Sequence, residues 1–118
     1  MSDPLVNGLY VLDENGKPVL CKDIFTWGKW FENLENRHVA LDENVGPNHA
    51  KVSTVFLAID HAGFNKKGPP VLWETMIFGG RHDQYQTRAT SREEALAGHQ
   101  KAMNLARRER PIIKRKRP

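Results

Sequence analysis

Four turn-forming stretches divide most of the chain into short segments, and this punctuation limits the folds that it can adopt. They are DENG, NVGPN, HAGFNKKGPP and GGRHD, and each combines glycine with proline, asparagine or aspartate. The segments between them are rich in Val, Thr, Phe and Ile, as over Lys51–Asp60 and Val71–Phe78, which is typical of strands. Short strands in series, ending near Gln84–Arg88, predict an antiparallel meander that follows a first hairpin at Asn15-Gly16.

A first helix is predicted over Ile24–Asn36, directly after the first hairpin. Asp23 is placed to cap its amino end. Its apolar residues recur at the spacing of one buried helical face, which would consist of Ile24, Trp27, Phe31 and Leu34. Trp30 lies on the flank of this stripe, where we expect an exposed side chain.

The segment TSREEALAGHQKAMNLARRER is typical of a second, longer helix. Ser91 and Glu94 have the spacing of a capping box, and Pro111 would end the helix. Ala95, His99, Ala102 and Ala106 form one stripe, so we expect this face to lie against the sheet. The sequence therefore predicts an α+β fold, with an antiparallel β-sheet of four to five strands and two α-helices packed on one face.

Composition and charge are those of one soluble domain with a basic end. Hydrophobic residues make up 39% and charged residues 27% of the chain, an ordinary globular balance. The net charge of +4 resides in RRERPIIKRKRP, because its seven bases and one acid leave eleven bases and thirteen acids for the rest. We expect a single domain over residues 1–110 and a basic, disordered tail over residues 111–118.

Several features favour the cytoplasm. The single cysteine, Cys21, excludes an internal disulfide and fits a reducing compartment. The start MSDPLVNG has neither a basic nor an apolar leader region, and the longest apolar run, Val55–Ile59, is too short to span a bilayer. We therefore expect no secretion signal and no membrane span.

Three segments carry a resemblance to a known group of proteins. VSTVFLAIDH (Val52–His61), PVLWETMIFGG (Pro70–Gly80) and YQTRATSREEALAGH (Tyr85–His99) resemble segments of small proteins encoded by bacteriophages and prophages. Those proteins carry VSTVFLGLDH, FETMxFGG and a late-helix GH. The resemblance covers residues 24–105, with alanine at Ala58 and tryptophan at Trp73 in place of glycine and phenylalanine. It implies a phage-type context, the cytoplasm of a bacterial host and a compact α+β fold, and it implies no particular chemistry.

Four polar residues are candidates for acid–base catalysis: Asp60, His61, Glu74 and His99. One hypothesis is a small enzyme in which His99 pairs with Glu74 or Asp60 beneath a cleft. The other is that Asp60, His61 and Glu74 frame a hairpin, while a buried His99 bonds to a strand carboxylate or carbonyl and positions the helix. Since no nucleophile motif accompanies these residues, the structural interpretation is favoured.

The sequence predicts neither a metal nor a cofactor. The histidines at positions 61, 82 and 99 lie far apart in sequence, and no metal-ligand spacing or phosphate-binding loop is present. Cys21 lies in an apolar strand pattern, where a small core residue is expected rather than a reactive thiolate.

The favoured hypothesis is a phage-type accessory protein that binds a host protein or a nucleic acid without catalysis. The tail supplies the nucleic-acid-binding candidates, which are Arg107, Arg108, Arg110, Lys114, Arg115, Lys116 and Arg117. Candidates for protein contact are Lys66 and Lys67 in the loop Gly63–Pro70, Arg81 and His82 in the loop Gly79–Asp83, and Trp30. A further alternative is a virion or assembly component that forms homo-oligomers through the strand over residues 71–78.

Overall fold

The computed structural model describes residues 8–61 and 68–113. Within these ranges the elements are, in chain order, β1 (Tyr10–Leu12), β2 (Pro18–Leu20), α1 (Ile24–Glu32), a 3-10 turn (Leu34–Asn36), β3 (His38–Val45), β4 (Ala50–Phe56), β5 (Trp73–Phe78), β6 (Gln86–Ala89) and α2 (Arg92–Arg107). β1 and β2 pair as an antiparallel hairpin, and the other strands form a four-stranded antiparallel sheet in the order β3-β4-β5-β6. The predicted α+β class and the antiparallel meander are confirmed.

The two faces of the sheet differ, because successive side chains of a strand point to opposite sides. One face packs beneath α2 and carries Val52, Thr54 and Phe56 of β4, each of them fully buried. The alternate residues of β4 are exposed or half-buried. We call this second side the open face, since within the described ranges no helix packs on it; it carries His38, Leu41, Lys51, Ser53, Val55, Glu74, Met76, Phe78, Gln86 and Arg88.

Helix α2 lies across the sheet on a face of small residues. Ser91 caps it as predicted, with its Oγ accepting the Glu94 N–H at 3.1 Å. Its buried residues are Ala95, His99, Ala102, Met103 and Ala106. Alanines bring the helix axis close to the strands, so that Val52 and Ile77 pack directly against the last turns. The helix ends at Arg107, four residues before Pro111.

Helix α1 differs from its prediction in three respects. It is capped by Asp23 as expected, yet it ends at Glu32 and the chain continues as the 3-10 turn. Only part of its predicted apolar stripe is shielded from solvent, since Ile24 and Leu34 are exposed. The prediction that Trp30 is exposed was wrong, because its ring meets the Phe56 ring edge-on at 5.8 Å. This contact places α1 on the same side of the sheet as α2.

The turn between β3 and β4 fits closely against the end of α2. Gly46 has φ +73, and a Cβ built there would lie 2.3 Å from the carbonyl oxygen of Ala106. Gly16, in the turn of the first hairpin, has a similar φ of +77 but open space around it. Adding a side chain at Gly16 therefore carries only a conformational cost, whereas adding one at Gly46 carries a conformational and a steric cost.

We expect Gly16→Ala to lower the free energy of unfolding by about 1–2 kcal/mol, the cost of a left-handed alanine. Gly46→Ala should cost clearly more, because its methyl group also displaces the last turn of α2 from the sheet. Chemical denaturation of the two variants measures the difference. Equal losses would contradict the close packing of this turn against α2.

Candidate functional site

A chain of hydrogen bonds runs through the interface between α2 and the sheet, and His99 lies at its centre. The Nδ1 of His99 lies 2.8 Å from the Thr54 hydroxyl, which lies 2.5 Å from the hydroxyl of Thr75. The Nε2 of His99 lies 2.7 Å from Oδ2 of Asp42 in β3. His99, Thr54 and Thr75 are all buried, while the side chain of Asp42 is half-exposed.

The carboxylate of Asp42 sets the direction of this chain. An ionised carboxylate only accepts hydrogen bonds, so the Nε2–H of His99 donates to it. In the neutral ring Nδ1 then accepts from Thr54, and Thr54 in turn accepts from Thr75. Each buried polar atom in the chain has a partner, which is what a buried imidazole needs in order to be stable in a core.

The order Thr54–His99–Asp42 resembles a nucleophile–base–acid arrangement, but the hydroxyl group of Thr54 is fully buried. A cavity of about 260 Å³ lies beside the chain, between α2 and the strands β5 and β6, and Thr75 and Gly98 line it. Thr75 is 2% exposed and its hydroxyl bonds to Thr54. The arrangement therefore holds α2 in register on the sheet and presents no open nucleophile.

The structure agrees with the favoured interpretation, in which a buried His99 bonds to a strand carboxylate, here that of Asp42. The alternative pairing of His99 with Glu74 or Asp60 is absent, because both ring nitrogens are taken by Thr54 and Asp42. Glu74 lies on the open face, where its Oε2 accepts from Gln86 Nε2 at 2.8 Å and from Arg88 Nε at 3.1 Å. The structure therefore separates Glu74 and His99 by the thickness of the sheet.

Asp60 and His61 follow β4, where the chain runs beside the first hairpin. The Oδ1 of Asp60 accepts the Val71 N–H at 2.9 Å, and the N–H of His61 donates to the Val71 carbonyl at 3.0 Å. Burial, and then the charge of Asp60, raise the pKa of Tyr10 above its ordinary value. Both residues thus frame the connection between β4 and β5, as the structural interpretation predicted.

We expect His99→Ala to lower the free energy of unfolding by about 2–4 kcal/mol, since it opens a cavity and leaves the Thr54 hydroxyl and Asp42 without their partner. Gln100→Ala, at the next and exposed position of α2, is the matched control and should change stability by less than about 0.5 kcal/mol. Thermal melts of both variants test this. An unchanged melting temperature for His99→Ala would contradict a structural role for the chain.

A second polar cluster lies at the end of the sheet where α2 stops, and it is built on Glu109. The carboxylate of Glu109 is fully buried. It accepts from Asn48 Nδ2 at 2.9 Å, from His82 Nδ1 at 2.5 Å, and from the backbone N–H groups of Arg81 and His82 at 3.1 and 2.9 Å. Glu109 therefore joins the end of α2 to the β3–β4 turn and to the β5–β6 loop.

The same two loops hold the residues that follow Glu109. The guanidinium of Arg81 donates to the carbonyl groups of Arg110 and Pro111 at 2.8 and 3.1 Å. Asn48 donates to the Arg110 carbonyl at 3.0 Å and accepts the Ile112 N–H at 2.7 Å. The backbone of residues 109–112, which we call the anchored segment, is thus fixed to the body.

Four hydrogen-bond donors lower the pKa of the Glu109 carboxyl group in spite of its burial. Burial alone would raise the pKa of its carboxyl group, but the hydrogen bonds from Asn48, His82 and the backbone of Arg81 and His82 outweigh it and lower the pKa to about 2. Since a depressed pKa favours the folded state only while the group is ionised, this stabilisation is complete above the ordinary pKa of 4.5 and is lost as the pH falls toward 2.

We expect Glu109→Gln to destabilise the protein at neutral pH by about 1–3 kcal/mol, because an amide cannot accept from all four donors. Between about pH 4.5 and pH 2, the unfolding free energy of the unaltered protein should fall more steeply than that of Glu109→Gln. Glu14→Gln, at an exposed turn position, is the control and should leave the pH profile unchanged. Parallel profiles for all three proteins would contradict the role of Glu109.

The structure places the predicted contact residues as follows. Arg107, Arg108 and Arg110 are exposed, while Lys66, Lys67, Lys114, Arg115, Lys116 and Arg117 lie outside the described residues. Arg81 and His82 hold the anchored segment, a role that the sequence analysis did not assign to them. The sequence analysis also missed Asp42, Thr54, Thr75, Asn48 and Glu109. Asp42 could have been noticed because it is two residues from Ala40 and therefore on the same face of β3. Glu109 could have been noticed because it is the lone acid among the bases of its segment.

Among the described residues no group of three or more His, Cys, Asp or Glu side chains is arranged to hold a metal ion. In the same part of the chain, neither α1 nor α2 combines the length and the apolar character that crossing a bilayer requires. Cys21 is buried, as predicted, and its thiol donates to the Asp23 carbonyl. Comparisons with protein-family models, with curated proteins and with solved structures find no match to this chain.

Proposed function

We propose that this protein is a phage-type accessory factor of the bacterial cytoplasm that binds the backbone of nucleic acids through its basic end, without catalysis. One observation carries the proposal. The only acid of the segment RRERPIIKRKRP is Glu109, and its carboxylate is turned inward and buried. The other charged side chains of that segment are therefore all positive.

The end of α2 and the anchored segment support binding in a second way, because the backbone beneath the first cations is ordered. Arg107 and Arg108 are exposed at the end of α2, and Arg110 is exposed where Asn48 and Arg81 hold its carbonyl group. Less conformational entropy is lost on binding when the backbone beneath a contact residue is already ordered. Four further bases, Lys114–Arg117, follow directly in the sequence.

A nucleic acid fits this surface better than a host protein does. A run of like charges complements a phosphate backbone, which presents a like charge at every step. The rest of the chain carries eleven bases against thirteen acids, so binding through the body alone is not favoured electrostatically. Since no recognition motif accompanies the bases, we propose binding that tolerates many sequences.

The test is fluorescence anisotropy with a labelled oligonucleotide, as a single strand and as a duplex, at low and at physiological salt. The variant carries Lys114→Gln, Arg115→Gln, Lys116→Gln and Arg117→Gln. The matched control removes four exposed bases elsewhere, with Lys17→Gln, Lys22→Gln, Lys29→Gln and Arg92→Gln. We expect the tail variant to bind at least tenfold more weakly, with a salt slope for the single strand that is reduced by up to about 3.

The control variant should bind within about twofold of the unaltered protein, because its changes lie far from the basic end. Equal losses in both variants would indicate charge attraction without a site. Absence of binding at physiological salt would overturn the proposal and favour a host protein, which a pull-down with the full chain as bait would then seek.

A further inference from the structure

The open face of the sheet has the composition of a contact surface. Its apolar side chains are Leu41 at 44% exposure, Phe78 at 38% exposure, and Met76 and Val55, which are half-buried. Polar side chains lie among them, since Ser53 separates Leu41 from Met76 in the register of the sheet. An uncovered face that mixes exposed apolar and polar side chains in this way can serve as a contact surface.

Phe78 and Lys51 lie at the end of this face that adjoins the anchored segment. They are direct partners in the register of β4 and β5, and the Lys51 ammonium lies 5.1 Å from the centroid of the Phe78 ring. Phe78 is three residues before Arg81, which holds the backbone of Arg110 and Pro111. An aromatic ring, a lysine and the basic segment are therefore neighbours at one edge of the molecule.

We propose that single-stranded nucleic acid lies on the open face, with one base stacked on Phe78 and its phosphate beside Lys51. This inference rests on the proposed function, since Arg110 of the anchored segment would hold an adjoining phosphate. A ring for the base and cations for the backbone are the two elements that sequence-tolerant binding of single strands uses. Leu41 and Met76 extend the apolar surface under the neighbouring bases.

The strand must be single because Phe78 can stack only on an unpaired base. In a duplex the base faces are covered by their neighbours, and the face of a four-stranded sheet is too broad for a major groove that admits one helix or a two-stranded ribbon. A duplex would therefore meet the basic segment alone. The predicted result is a preference for the single strand that depends on the aromatic ring and not on the tail.

A second copy of the chain fits the same face less well. Four strands about 4.8 Å apart and on average about six residues long give a face of about 400 Å². Two such faces would bury about 800 Å² in total, less than the roughly 1,200 Å² that a stable interface needs. A few nucleotides need no more than one such face.

The experiment compares Phe78→Leu with Phe25→Leu in the full chain. Phe25 lies on α1 and is 82% exposed, so it is a matched phenylalanine outside the proposed site. The probe is a labelled DNA of about 12 nucleotides, used single-stranded and annealed to its complement. Phe78→Leu should weaken single-strand binding by about fivefold or more and leave duplex binding unchanged, whereas Phe25→Leu should change neither.

Two additional measurements keep the outcome clear. Phe78→Trp retains a stacking ring and should bind the single strand as tightly as the unaltered protein, and thermal melts confirm that each variant is folded. If Phe78→Leu has no effect while the tail variant still loses binding, the stacking inference fails and the proposed function stands. If sedimentation shows a dimer that Phe78→Leu dissociates, the open face binds a second copy and the inference is overturned.

Discussion

Helix α2 can lie flat on the sheet because the one imidazole that it buries has a partner for each nitrogen. An unpaired polar group in this position would cost more than the neighbouring alanines return by packing. Thr54 and Asp42 remove that cost, and they do so from two different strands. The helix is thereby fixed in rotation and in position along its axis, which apolar contacts between small residues would not achieve. The cavity and the close turn at Gly46 both follow from that position.

Local signals in the sequence identified the secondary structure well. The Asn15-Gly16 turn and the helix caps at Asp23 and Ser91 each depend on a few neighbouring residues, and each is present in the structure. The burial of His99 also followed from helical spacing. Ala58 gave no such local signal, although the structure gives it φ +66, a conformation that glycine adopts without cost.

Contacts between distant residues were the part that the sequence could not supply. Asp42 is 57 residues from His99, and nothing in its neighbouring sequence indicates that partner. Glu109 was counted as one acid in a basic tail, although it reaches Asn48 across 61 residues. Trp30 was expected to be exposed, because one helix alone does not reveal the ring of Phe56. These errors have the same cause. Which residues meet in space depends on the whole fold, whereas the spacing of residues along the sequence describes one helix or strand at a time.

Glu109 also has a consequence for the order in which the protein folds during synthesis. Its partners Asn48 and His82 precede it by 61 and 27 residues, so both emerge from the ribosome before it. Until Glu109 follows, their hydrogen-bond donors are paired with water. A chain that stopped at Arg108 would contain β1–β6, α1 and α2, yet it would lack the carboxylate that joins the end of α2 to the two loops. The contacts at this end of the sheet can therefore form only after both helices have been synthesised.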